Sequence, residues 1–307
     1  MYNYLISGLP VSSEIELPGA IATAGQTEDS AVSIRYASVA AALDDAAVSG
    51  EIARGPTWEM AGETFLLRVP RVARFLITAG REIALELEPD STARDAAGFV
   101  LGTAFGILLH QRGAMVLHGA AAAKDGRAMA ICGVSGAGKS TLAAALCREG
   151  YSFVTDDICV IGLNAAREPV VWPDGRQLKL WAQSIKRLDL GERRGEAVRD
   201  SFEKYYVTPC GNAVDRPRLS AIYVLREARP PFQEGLERLT LPDALRRLDY
   251  EAYRPGLRAK IGQRPEMLSY AATVLGHAKV FMLSRPRGFE HLPETVAALN
   301  AHWDALG

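Results

Sequence analysis

Apolar runs of strand length at 63–69, 73–78 and 82–88 are separated by short polar breaks, which predicts a strand-rich N-terminal region. Only the last alternates cleanly, with Ile83, Leu85 and Leu87 on one face, and Ala79 and Gly80 stand where a hairpin would turn. Between Gly25 and Gly55 the chain is rich in Ala, Ser and Asp and predicts no firm element. Asp90, Ser91 and Thr92 supply a helix N-cap. The uncharged stretch 96–109 that follows reads as a buried helix, too short to span a bilayer. Gly98, Gly102 and Gly106 recur every four residues on one of its faces, which predicts close packing against a sheet.

Beyond residue 115 the pattern changes to short apolar runs alternating with helical stretches. Residues 115–119 open this part, and 128–132 predict a short buried strand. A helix over 140–149 is stopped by Gly150, a strand at 151–155 runs into Asp156 and Asp157, and another strand follows at 158–161. Next come a polar segment at 167–186, a charged helical stretch at 192–204 and a strand at 220–225. A helix from 242, a helix at 266–275, a strand at 279–283 and a last helix from 293 complete the chain. Strands mixed with helices predict an α/β core over 91–307, with a smaller strand-rich domain over 1–90.

The segment GVSGAGKST at 133–141 joins the strand at 128–132 to the helix at 140–149 and fits G-x-x-x-x-G-K-[ST]. In that arrangement backbone N–H groups wrap phosphates, the lysine reaches the outer ones and a hydroxyl holds Mg²⁺. The helix N-terminus adds its partial positive charge. Gly133, Ser135, Gly136, Ala137, Gly138, Lys139, Ser140 and Thr141 are therefore the candidate nucleotide cradle. Asp156 and Asp157, ending a strand shortly after it, supply the carboxylates that phosphoryl transfer needs. One would hold the metal, and the other would accept the proton of an attacking hydroxyl. His118, on the segment leading into the core, is a third candidate, whereas His110, His277, His291 and His302 lie in or beside predicted helices and read as structural.

Composition narrows the partners. With 35 Lys+Arg against 36 Asp+Glu the chain lacks the electrostatic footprint of a nucleic-acid binder. The first residues show no basic start followed by a long apolar run, so no export signal and no membrane segment is expected. Cys132, Cys147, Cys159 and Cys210 show no metal-type spacing and read as free thiols in a reducing cytoplasm.

His118-Gly119, Gly138-Lys139-Ser140, Gly150 and Asp156-Asp157 fall, in order, on features of the HPr kinase/phosphorylase family, which this region resembles. The resemblance is specific over 115–161. It implies a P-loop core of the HPr kinase/phosphoenolpyruvate carboxykinase type and an ATP- and Mg²⁺-dependent serine kinase. Ser140 and Asp156 would then serve the metal, Asp157 would be the base and His118 would couple to the pair. Lys179, Lys204, Arg254 and Arg258 are candidate cations for the charge on the transferring group.

The family's later glutamate-bearing segment is absent; Arg176, Lys179 and Trp181, then Lys204 to Val207, stand in its place. That pattern looks like the smaller HPr-kinase-related proteins of lasso-peptide biosynthesis, whose kinases phosphorylate a serine near the end of a precursor peptide. The implied partner is a peptide or small protein bearing an acceptor serine. HPr kinases assemble as hexamers, which brings a homo-oligomer into view. Two other readings stay open: a nucleotide-binding regulatory module without transfer, and a small-molecule kinase.

Overall fold

The N-terminal runs pair into a sheet broader than the sequence suggests. In the computed structural model, residues 1–23, 31–45, 48, 50–198, 203–213, 215–261 and 264–306 are described. The first strands are β1 (Tyr2–Ile6), β2 (Leu9–Ser13), β3 (Val32–Tyr36), β4 (Ala53–Gly55), β5 (Trp58–Ala61), β6 (Thr64–Val69), β7 (Ala73–Thr78) and β8 (Glu82–Leu87). They pair in the order β1-β2-β3-β8-β7-β6-β5-β4, and Ala79 and Gly80 make the turn between β7 and β8.

Two expectations are corrected here. β7 also alternates cleanly, with Ala73, Phe75 and Ile77 buried, and in β8 Ile83, Leu85 and Leu87 share one face as expected while Ala84 is buried on the opposite face beneath Val39 and Leu66. The stretch read as featureless contains β3, which runs parallel to both β2 and β8 inside the sheet. Only Val32 and Ile34 point inward from it, too few for a period-2 signal among so many small residues. Residues 24–30, 46, 47 and 49 of that stretch lie outside the described residues.

Thr92 caps the following helix. Its hydroxyl accepts from the Asp95 N–H while Asp95 accepts from the Thr92 N–H, a reciprocal pair that satisfies two of the helix's free donors. The helix runs as α1 (Ala93–Phe99), a π-helical turn (Val100–Ala104) and α2 (Phe105–Gln111). Leu101, Ala104, Phe105 and Leu108 pack with Phe75, Ile77 and Ile83 of the first sheet, in a core that continues to Val116, Ile158 and Val160. The glycine stripe meets no sheet: Gly106 abuts the ring of Tyr253, and Gly98 is exposed.

His110 at the end of α2 is buried, with Nε2 2.8 Å from the Tyr253 carbonyl oxygen. Burial pulls its imidazole down from 6.5 to about 4, helped by Arg258 and opposed by that hydrogen bond. The folded chain thus keeps it neutral where the unfolded chain binds a proton. Its contribution to stability is full above pH 6.5 and is lost as pH falls from there towards about 4. Thermal midpoints measured across that window should fall more steeply for the parent than for His110→Gln.

The second sheet carries the site. Its part of the chain contains β9 (Met115–Lys124), β10 (Arg127–Gly133), α3 (Lys139–Arg148), β11 (Ser152–Thr155), β12 (Ile158–Leu163) and β13 (Pro169–Val171). A small third sheet follows, made of β14 (Leu178–Trp181), β15 (Arg194–Ala197) and β16 (Lys204–Val207), with α4 (Ala182–Arg187) between β14 and β15. The chain ends with β17 (Arg218–Glu227), β18 (Gly235–Arg238), α5 (Leu241–Tyr250), α6 (Pro255–Ile261), α7 (Arg264–His277), β19 (Lys279–Arg285) and α8 (Leu292–Ala305).

β10, β17 and β19 run parallel, with β9 antiparallel on one side and β18 on the other. Alternation along β10 sends Met129 and Ile131 to the face that packs with Leu142, Leu146 and Trp303 of α3 and α8. It sends Ala128 and Ala130 to the face covered by Leu248 and Val274 of α5 and α7. The described residues therefore form a mixed α/β structure with three sheets.

The polar segment 167–186 contains β13, β14 and most of α4, and in β14 Leu178 and Leu180 are buried while Lys179 and Trp181 lie on the opposite face. The stretch read as helical at 192–204 holds a single 3₁₀ turn, β15 and the first residue of β16, with 199–202 outside the described residues. β15 is exposed almost throughout, so its charges carry no face to read.

Asp174, Gly175 and Arg176 tie the two large sheets together. The Ser7 hydroxyl and the Arg176 Nε both donate to the Asp174 carboxylate, at 3.3 and 2.7 Å, and Arg176 Nη1 donates to the Leu101 carbonyl at 2.7 Å. Gly175 has φ +66°, and a Cβ there would collide with the Leu5 carbonyl oxygen. Gly175→Ala is expected to destabilise the fold by about 3 kcal/mol, from the strained φ and the backbone clash together, seen as a lower denaturant midpoint.

Candidate functional site

Strand pairing explains why three separate pieces of sequence meet. β9 pairs through its second half with β10 on one edge, while β12 and β11 share its other edge, at His118–Met115 and Ala121–Ala123 respectively. The two-residue break between β11 and β12 is Asp156-Asp157, so the pair bends out beside His118 and Gly119. Gly119 faces Cys132 across the β9–β10 ladder, which brings His118 to the level where β10 ends in the glycine loop. A Cβ on Gly119 would stand 2.7 Å from the Ile131 carbonyl oxygen, so the residue after His118 has to be glycine for the two strands to close here.

The loop itself turns through Gly133, Gly136 and Gly138, all at positive φ, and opens α3 at Lys139. Lys139 is buried, and its amine donates to the carbonyls of Gly133 at 2.8 Å and Val134 at 3.3 Å. Burial pulls this amine below the ordinary lysine range, while nearby acids, among them Asp156 and Asp157, push the other way. The Ser140 hydroxyl donates to Asp156 Oδ1 at 2.7 Å, and Asp156 Oδ2 accepts from the Lys179 N–H at 3.2 Å. Thr141 Oγ1 lies 3.0 Å from the Ser184 hydroxyl, tying α3 to α4.

Asp157 stands apart from its neighbour. It has φ +75°, a left-handed conformation that Asp tolerates better than most residues, and this turns its side chain towards His118 rather than Ser140. His118 Nδ1 lies 3.2 Å from both the carboxylate Oδ1 and the backbone oxygen of Asp157. Burial would raise this carboxyl, but the hydrogen bond to His118 and the charges of Lys179 and Arg176 hold it well below the usual carboxylate range. The two carboxylates therefore face different partners: Asp156 a hydroxyl, Asp157 an imidazole.

These groups line one cavity of about 470 Å³. Of the residues expected from sequence, His118, Ser135 to Thr141, Asp156, Asp157, Lys179 and Lys204 line it. Gly133 is buried behind the loop. Arg254 and Arg258 are not among the lining residues and are corrected on this point. Arg254 donates to the Thr103 hydroxyl at 2.8 Å, and Arg258 pairs with Asp249. Both follow Tyr253, whose side chain packs into the core beside α2, so the segment is turned towards that helix.

Besides Lys179 and Lys204, two further cations come from β19 and the turn after it. Arg285 Nη2 donates to the Ala137 carbonyl at 2.7 Å, and Arg287 lines the same cavity. Burial, and then Arg287, lower the Arg285 guanidinium from its ordinary value. Glu251, just after α5, is another residue the sequence did not single out. Its carboxylate accepts from the Gly133 N–H at 2.9 Å, and its backbone oxygen accepts from the His118 N–H at 2.7 Å. Its other carboxylate oxygen is in ion-pair contact with Arg247 at 2.8 Å, though not aligned as a hydrogen bond. Glu251 thereby fixes both the start of the loop and the histidine strand. Neither Arg285 nor Glu251 carries a local sequence signal.

No protein-family model matches the chain, and no curated protein matches it. Among solved structures, the Hpr(Ser) kinase/phosphatase from Coxiella burnetii is similar over 62% of this chain and 92% of its own. That similarity has a TM-score of 0.34 and 12% sequence identity. Cys132, Cys147 and Cys159 are buried free thiols and Cys210 is exposed. Among the described residues no helix is long and apolar enough to cross a membrane.

A divalent metal can be tested against the donors present. Ser140 and Asp156 offer one hydroxyl and one carboxylate oxygen within 2.7 Å of each other, at the N-terminus of α3. Among the described residues no set of three or more His, Cys, Asp or Glu is placed to hold a metal. Two hard oxygens beside the glycine loop fit a divalent cation of the Mg²⁺ kind, which would be held by Ser140 and Asp156 and would draw its other ligands from water and phosphate.

Proposed function

We propose that the chain is an ATP- and Mg²⁺-dependent kinase that transfers the outer phosphoryl group to a serine hydroxyl of a peptide or small protein. The observation that carries this reading is the division of labour between adjacent carboxylates in one cavity: Asp156 on Ser140, Asp157 on His118. A protein that only bound nucleotide would need the first pair and not the second.

In this reading the loop N–H groups and Lys139 hold the phosphates, with Ser140 and Asp156 placed to hold Mg²⁺. When bound, the metal would neutralise charge on the phosphate oxygens. Asp157, kept ionised by His118 and Lys179, orients the incoming hydroxyl and accepts its proton. Lys179 and Arg285, which both line the cavity, supply positive charge where negative charge spreads over the transferring group. The acceptor class follows the resemblance of the 176–207 segment to kinases of lasso-peptide systems.

The test uses Mg²⁺-dependent ADP formation from ATP in the presence and absence of serine-containing peptides. Peptide should stimulate it, and an alanine-for-serine peptide should not. Asp156→Asn is expected to raise the Mg²⁺ concentration needed for half-maximal rate by about tenfold or more, since losing a metal ligand costs at least what losing its support does. A rate indifferent to peptide, or a Mg²⁺ requirement unmoved by Asp156→Asn, would count against the assignment.

A further inference from the structure

On the other side of the glycine loop lies a second cavity, of about 770 Å³, that the kinase reading leaves without a role. It shares Ala137, Arg285 and Arg287 with the first, so the loop and Arg285 form the wall between them. Six arginines and three carboxylates line it. The carboxylates are already shared: Glu227 lies 3.8 Å from Arg229 and 3.1 Å from Arg287, Glu237 lies 3.5 Å from Arg226, and Asp243 pairs with Arg246. Arg285 has no carboxylate in ion-pair contact among the described residues and gives its hydrogen bonds to backbone oxygens. The cleft is therefore electropositive, and its outer cations, Arg229 and Arg246, are mostly exposed. At its rim Phe232 and Tyr250 are also exposed, each with an arginine over its ring, Arg226 at 3.9 Å and Arg247 at 4.9 Å.

We propose that this cleft docks an acidic segment of the acceptor polypeptide, whose carboxylates pair with its arginines while an apolar residue rests on Phe232 or Tyr250. The inference rests on the kinase reading for the word acceptor, but not for the binding itself. Its position favours the acceptor over the nucleotide. Lys139, which reaches outer phosphates in loops of this kind, donates its amine to the adjacent Gly133 and Val134 carbonyls, and Val134 lines the cleft. The cleft thus borders the end of the cradle where the transferable group would sit. Clusters of arginine on a groove are a common means of recognising acidic motifs, because each guanidinium can grip a carboxylate with two parallel bonds.

The experiment measures fluorescence anisotropy of two labelled serine-containing peptides, one glutamate-rich and one lysine-rich, with the full chain. Nucleotide affinity is measured separately with a fluorescent ATP analogue. The glutamate-rich peptide should bind and weaken with salt, and the lysine-rich one should not bind. Arg229→Glu with Arg246→Glu should weaken the glutamate-rich peptide by about tenfold or more while ATP-analogue affinity stays unchanged, since reversing rim charges sets like against like. Arg229→Gln with Arg246→Gln should give a smaller loss in the same direction, and unchanged melting temperatures show that both variants fold.

Equal binding of the two peptides, no binding of either, or no effect of charge reversal would overturn the proposal. A loss of ATP-analogue affinity matching the peptide loss would also overturn it, by assigning the cleft to the nucleotide. If the acidic peptide binds as described and the wild-type chain binds no ATP analogue, the docking site stands and the kinase reading falls.

Discussion

Asp157→Asn is expected to lower turnover by about 10²–10⁴-fold, the usual range for a lost general base, with ATP affinity unchanged. Asparagine keeps the volume and tolerates the left-handed φ of +75°, so the bend between β11 and β12 survives and the loop is not disturbed. What is lost is the negative charge beside His118 and Lys179 and the ability to take a proton. Because the parent carboxyl is held well below the usual range, it stays ionised as pH falls from neutrality to the ordinary carboxylate value. No loss of rate over that interval should trace to Asp157 itself. Steady-state kcat with a peptide acceptor, paired with nucleotide titration and a melting curve, separates this outcome from simple misfolding.

The second large effect is expected at Lys139. Its amine is buried and now donates to two loop carbonyls, which phosphate oxygens would replace. Charge-assisted bonds of this kind contribute about 1.5–3 kcal/mol each, so Lys139→Ala should weaken ATP by about two orders of magnitude. The weakening should be far smaller for AMP, which lacks the outer phosphates the amine serves. Lys139→Arg should not restore affinity. A planar guanidinium does not present the compact point charge of the amine. Isothermal titration with ATP, ADP and AMP against the three chains reads out all of this.

The parts of the site that were legible in the sequence are those whose chemistry is local. The glycine loop needs a strand before it and a helix after it, and β10, Gly133 to Gly138 and α3 lie within one contiguous stretch. Asp156-Asp157 was visible at a strand end, whereas His118-Gly119 stood out through its place ahead of the loop and its family resemblance, and the structure supplies the reason for its glycine, which lets β9 meet β10. Arg285 and Glu251 were not visible. Each is a single charged residue, at the end of β19 or just after α5, and only the parallel pairing of β10, β17 and β19 and the backbone contacts of 251–253 with β9 bring them to the loop.

The same reasoning explains Arg254 and Arg258. Their charge suggested a role in the sequence, but a neighbouring side chain decides where they face, and Tyr253 turns their segment towards α2. In the fold, β3 and β15 escaped notice for related reasons. β3 contributes just two inward residues, and β15 is nearly all exposed, so neither writes its pairing into a local pattern. The charged stretch at 192–204 looked helical because charge alone does not distinguish a solvated strand from a solvated helix.

The central claim is that the outer phosphoryl group of ATP ends on a serine hydroxyl. Its most direct test is incubation of the chain with γ-labelled ATP, Mg²⁺ and a pool of serine-containing peptides, with the labelled residue located by mass spectrometry. The account predicts label on serine that disappears without Mg²⁺ and is nearly lost with Asp157→Asn. Firm ATP binding with no label on any peptide, or labelling that Asp157→Asn leaves unchanged, would contradict it.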